Sequence, residues 1–161
     1  MENPKTTFKV AVQRAFKDSK YPHGESLVQD FFGHYGIHIT NFFLNNTWME
    51  LKDKEMLVSY ALEMYVLSDS AFAYFLPAFL INIHAENIGI KSVIYQWLTP
   101  PIDSIRMQVF NKRMRLFTLD QCKVILRFIK SFLKEEFYRE EHRSEKTIKY
   151  WKNLIKIKRI D

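Results

Sequence analysis

His34 and His38, in the stretch GHYGIH, are the first residues whose type and spacing could do chemistry. Two imidazoles at i and i+4 on a helix can share one metal ion, and Asp30 and His23 lie near enough in sequence to supplement them. Gly33 and Gly36 argue against a continuous helix there, no HExxH motif is present, and a zinc site wants three or four protein ligands. The expectation is therefore no metal and no cofactor, with these histidines making ordinary hydrogen bonds in a loop. Cys122 is the single cysteine, so no internal disulfide can form. It falls on the apolar stripe of a helix, which predicts a buried and inert thiol. Ser59 and Ser70 sit in no nucleophile elbow. Glu135-Glu136 and Glu140-Glu141 are adjacent rather than on one helix face, and Lys and Arg interleave them. No catalytic set is assembled, and an enzyme is not the expected class.

The basic residues carry more information. Lys149, Lys152, Lys156 and Arg159 recur at i, i+3, i+7 and i+10, with Ile148, Trp151 and Ile155 on the opposite side. Such a basic amphipathic helix could neutralise phosphates without reading sequence. It lacks a cluster of aromatics for base stacking, and no helix-turn-helix glycine turn precedes it. Net charge is +6 and unevenly spread. Residues 1–100 hold 8 Lys/Arg and 10 Asp/Glu, whereas residues 101–161 hold 16 and 8. A basic half suits a nucleic acid, an anionic membrane surface or an acidic protein. The plain alternative is a solvated helical face.

The elements that must position these residues follow from hydrophobic period. A chain of 161 residues suits one domain with its own core, and fourteen Phe supply much of the core volume. Only four glycines are present, which excludes glycine-rich phosphate loops and disfavours hairpin-rich β folds. TTFKVAVQRAFKD predicts a first helix with Thr6 or Thr7 as cap. Residues 25–46 have no clean period and predict a loop with short helical pieces. Asp53 is a predicted N-cap, and Ser68-Asp69-Ser70 starts a further helix with an acid at its positive end. IKSVIYQWL predicts a short helix stopped by Thr99-Pro100-Pro101, and residues 102–116 are helical with a weak period. Thr118 and Gln121 fit a capping box. The helix behind it has the clearest stripe: Cys122, Ile125, Leu126, Ile129, Phe132, Leu133 and Phe137. A polar bridge, Arg139 to Ser144, precedes the last helix. The predicted architecture is an all-α, single-domain bundle of about six or seven helices spanning residues 1–161, with no repeat or linker to divide it.

AFAYFLPAFLI, Ala71 to Ile81, is predicted to be its centre. A membrane span needs ~20 apolar residues. This run has 11, between Asp69 and the polar Asn82, His84 and Glu86, so no span is expected. Apolar residues on every side place the helix in the core. Pro77 presses on the carbonyl of Ala73, which predicts either a kink there or a helix that stops at Leu76 and restarts. The N-terminal MENPKTTFKV shows no basic segment followed by an apolar one, so the expected location is cytoplasmic.

The phrases YPHGESLV (21–28), NTWMEL (46–51), LSDSAFAYFLPAFL (67–80), RLFTLDQ (115–121) and KYWKNL (149–154) resemble, in order, an uncharacterised family of small bacterial proteins known only as a domain of unknown function. The chain departs from that family's pattern around Gly33 to Thr40, where a more acidic loop is expected. Such families often lie beside toxin or secretion genes. The resemblance therefore implies a non-catalytic interaction module, such as an immunity protein that neutralises a toxin. It transfers no catalytic residues. The expected partner surface is the irregular region around Tyr21, His23, His34, Tyr35 and His38, because loops carry partner specificity. The basic charge favours an acidic or membrane-acting toxin over a strongly basic nuclease. The alternative is a nucleic-acid-associated module using Lys149, Lys152, Lys156 and Arg159.

Overall fold

The computed structural model describes residues 4–22, 27–29, 36–44, 46–83, 88–135 and 141–160. Among these are eight α-helices and no strand, which bears out the all-α bundle. Val28 and Leu67 form an isolated antiparallel bridge. No helix among the described residues is long and apolar enough to cross a membrane.

The first helix, α1, spans Pro4–Phe16. It starts earlier than its apolar period suggests, so Thr6 and Thr7 lie inside it and do not cap it. Proline suits a helix start because the N–H it lacks has no intrahelical acceptor there. The irregular region does contain one helix, α2 (Gly36–Phe43). Gly36 belongs to it and does not break it. This short helix raises the count above the six or seven read from pattern. α3 (Lys54–Ala61) is capped as expected: the Asp53 carboxylate accepts from the Met56 N–H at 3.1 Å. A 3-10 turn, Met64–Val66, then leads to Ser68.

α4 runs from Asp69 to Ile83. Ser68 Oγ accepts from the Ala71 N–H at 3.3 Å, as the Ser-Asp-Ser pattern predicts. Pro77 lies inside the helix, which continues on both sides, so the reading in which it stops at Leu76 does not hold. Every residue from Tyr74 to Leu80 is buried, as are Ala71 and Phe72. The Phe75 ring lies 4.5 Å from that of Phe43 and 6.1 Å from that of Tyr21. Phe79 meets Trp97 edge-on at 6.1 Å. Each such side chain contributes about 1.5–3 kcal/mol through burial, so α4 organises the bundle.

α5 (Ile88–Trp97) ends before Pro100-Pro101, and α6 (Ser104–Met114) is capped by Asp103, which accepts from the Arg106 N–H at 2.9 Å. Arg113 on α6 clamps the start of α4. Its Nε donates to Asp69 Oδ1 at 2.9 Å, its terminal nitrogen donates to the Leu67 carbonyl at 3.0 Å, and its guanidinium lies 4.7 Å from the Phe72 ring centroid.

The last two helices are α7 (Leu119–Glu135) and α8 (Glu141–Ile157). The capping box forms in both directions: Thr118 N–H donates to Gln121 Oε1 at 2.9 Å, and Gln121 N–H donates to Thr118 Oγ1 at 3.4 Å. α8 begins at Glu141, inside the stretch expected to be a polar bridge. Phe137 of the predicted stripe lies outside the described residues. Trp151 is fully buried and donates its indole N–H to the Leu98 carbonyl at 2.8 Å. Tyr95 lies against both Phe132, late in α7, and Thr147, early in α8. Lys158, past the end of α8, donates to the Arg115 carbonyl just before α7. The two helices therefore run antiparallel. Among the described residues, no buried side-chain nitrogen or oxygen lacks a partner.

Candidate functional site

The antiparallel pairing of α7 and α8 buries one face of each helix and leaves a shared open face. On α7, Cys122, Ile125, Ile129 and Phe132 point into the core, while Lys123, Lys130 and Lys134 are exposed. On α8, Trp151 and Leu154 are buried, while Lys152, Lys156 and Arg159 are exposed. Between the helices lies a groove of about 1050 Å³. Leu126 and Leu133 of α7, with Ile148 and Ile155 of α8, supply its apolar lining. Lys123, Arg127, Lys130 and Lys134 come from α7, and Lys152, Lys156 and Arg159 from this second helix and the residues after it. Ser131 completes the lining, which among the described residues includes no carboxylate.

Both rows obey helical spacing. The α7 cations recur at i, i+4, i+7 and i+11, and those of α8 at i, i+4 and i+7. The apolar residues form two i, i+7 pairs, 126/133 and 148/155. Charge and apolar surface thus run as parallel stripes along the groove. Two of the cations have local roles. Lys123 pairs with Asp120 at 2.7 Å, and Arg127 lies 5.6 Å from the Phe8 ring centroid. Among the described residues, Lys130, Lys134, Lys152, Lys156 and Arg159 make no ion pair. So many like charges along one groove repel each other, and an anionic occupant would relieve that repulsion.

The residues chosen from sequence separate into three groups. Lys152, Lys156 and Arg159 line the groove, while Lys149 is exposed on α8 but does not line it. Tyr21 is half-buried: its hydroxyl donates to the Phe43 carbonyl at 3.3 Å, and its ring meets that of Tyr74 edge-on at 5.3 Å. His38 is exposed on α2. His23, His34 and Tyr35 lie outside the described residues, as does Asp30, so of the expected loop surface the structure describes only Tyr21 and His38. Sequence reasoning missed the α7 half of the groove. Its signal is the 4-3-4 spacing of Lys123, Arg127, Lys130 and Lys134 on the polar side of a helix read chiefly for its apolar stripe.

The reactive candidates stay apart. Burial pushes the Cys122 thiol up to about 11 from 9.0, although Lys158 acts in the opposite direction. The thiolate needed for nucleophilic or redox chemistry is therefore scarce near neutral pH. Burial likewise raises the Tyr150 phenol to about 12; its hydroxyl donates to Asn111 Oδ1 at 2.8 Å. Among the described residues, no group of three or more His, Cys, Asp and Glu side chains could hold a metal. A second depression, of about 590 Å³, is lined by Arg14, Lys17 and Lys20 but also by Asp18 and Asp120, so its charge is mixed.

Fold and groove together define a small all-α bundle whose most distinctive surface is a basic, apolar-floored channel between its last two helices. The chain belongs to DUF6714, a family of unknown function, whose model matches residues 6–155. The match covers Lys152 and ends before Lys156 and Arg159. No curated protein and no solved structure matches the chain.

Proposed function

We propose that this protein is a non-catalytic interaction module whose partner is an acidic protein, in the manner of an immunity protein that binds and neutralises a toxin. The observation that supports this reading is the α7–α8 groove, which combines seven cations with an apolar floor. A protein partner can satisfy both features at once, burying aliphatic side chains while its carboxylates meet the rim. The buried, inert Cys122 suits binding rather than covalent chemistry. Co-expression with the product of the adjacent gene tests the reading. The expected result is a complex that survives purification and rescue of cells that the partner alone would kill. No complex and no rescue would remove it.

The second reading, a nucleic-acid-associated module, draws on the same two cation rows, which could track a phosphate backbone. The aliphatic floor gives that backbone nothing to contact, and among the described residues no aromatic ring lines the groove for base stacking. A salt-dependent mobility shift with duplex and single-stranded oligonucleotides is its test. Binding unchanged by Lys152→Glu and Lys156→Glu would dismiss it.

A further inference from the structure

We infer that the groove's occupant is one acidic amphipathic α-helix of the protein partner, lying between α7 and α8 as a third helix. This rests on the proposed interaction function and adds the shape and chemistry of what docks. The α7 cations span twelve residues, Lys123 to Lys134, and the eleven steps between them at 1.5 Å each make about 16 Å, or three helical turns. The half-buried Leu126 and Leu133 offer two aliphatic positions on one wall, about 10 Å apart along the axis, and the half-buried Ile148, with the largely buried Ile155 one repeat further on, lines the other. That repeat matches the apolar stripe of a helix packed nearly parallel to its neighbours. A bound helix with Leu or Ile at i, i+3, i+7 and i+10 would set that stripe on the floor. Its Asp and Glu residues on both flanks would then face Lys130 and Lys134 on one wall and Lys152 and Lys156 on the other. An extended acidic segment would meet the rim but leave the floor half-filled, because its side chains alternate every second residue.

Fluorescence anisotropy of the full-length protein tests this with a labelled fourteen-residue peptide carrying that leucine stripe and flanking glutamates. A peptide of identical composition but scrambled order controls for charge alone, and a duplex oligonucleotide controls for phosphate binding. The expected result is binding of the striped peptide at least tenfold tighter than the scrambled one, with a gain of helical circular dichroism on mixing. Lys130→Glu with Lys156→Glu should weaken binding more than tenfold. Leu126→Gln should weaken it severalfold, and Lys149→Glu, on α8 but outside the groove, should leave it within twofold. Unchanged melting temperatures guard against misfolded variants. Equal binding of the two peptides, tighter binding of the oligonucleotide, or no binding of the striped peptide would overturn the inference. The functional reading fails separately. If the adjacent gene product is bound and neutralised equally well by the Lys130→Glu/Lys156→Glu protein, the interaction function stands and the groove assignment falls.

Discussion

Helix α4 and the α7–α8 hairpin solve opposite problems. Tyr74 to Leu80 are buried without exception, so the middle of α4 has no side to offer a partner. The hairpin is divided lengthwise, with Trp151, Ile125 and Ile129 in the core and a row of cations outside. The middle of α4 is committed to the fold on all sides, whereas the hairpin spends one face on stability and keeps the other free. Substitutions in α4 should therefore report on folding, and those on the outer hairpin face should report on binding with folding intact.

The sharpest way to break this contrast is to cut into α4. Phe75→Ala removes a fully buried ring that meets Phe43, Tyr74 and Tyr21. It should cost about 3–5 kcal/mol, measured by urea denaturation. A smaller loss would mean the helix is less central than its burial suggests. Next comes the clamp on the same helix. Arg113→Ala removes the contacts to Asp69, the Leu67 carbonyl and Phe72, and about 2 kcal/mol should be lost, since hydrogen bonds to charged groups contribute more than neutral ones.

A pH titration probes the hairpin's inner face. Cys122 and Tyr150 have raised values, about 11 against 9.0 and about 12 against 10.0, so the unfolded chain ionises first. Stability should hold below pH 9 and fall as pH rises through 11 towards 12, by on the order of 2 kcal/mol once solvent screening of the half-buried Tyr150 is allowed for. Cys122→Ala should remove the earlier part of that fall. Breaking the cap with Thr118→Ala should cost about 1 kcal/mol, read as a lower melting temperature. The smallest effect belongs to the outer face, where Lys130→Glu with Lys156→Glu should change stability by less than about 0.5 kcal/mol. A large loss there would erase the division between the two faces.

Much of this fold can be read from residue order because its helix boundaries are chemical. Asp53, Ser68 and Thr118 cap as their types predict, and Pro100-Pro101 follow α5. The exceptions are instructive. α2 has eight residues, too few for a period to stand out, and Gly36 reads as a breaker although it belongs to the helix. Pro77 is legible as a disturbance but does not declare whether the helix survives it, since that depends on the packing around it. The groove is half-legible for another reason. Lys152, Lys156 and Arg159 stand out on a helix of modest apolarity, whereas the α7 cations hide behind the strongest apolar stripe in the chain. Their meeting across an open channel depends on the antiparallel pairing, which no single-helix pattern contains.

Gln121 closes the capping box with its carbonyl oxygen, while its amide nitrogen donates to Ser19 Oγ at 3.0 Å, a residue 102 positions earlier. One side chain thus joins an event available to a short peptide with one that must wait until α1 has docked. In kinetic terms the two halves belong to different moments of folding. Gln121→Glu keeps the oxygen that serves Thr118 and discards the donor that reaches Ser19. Its effect should fall mainly on the unfolding rate, whereas Thr118→Ala should slow folding itself to the extent that α7 is already formed in the transition state.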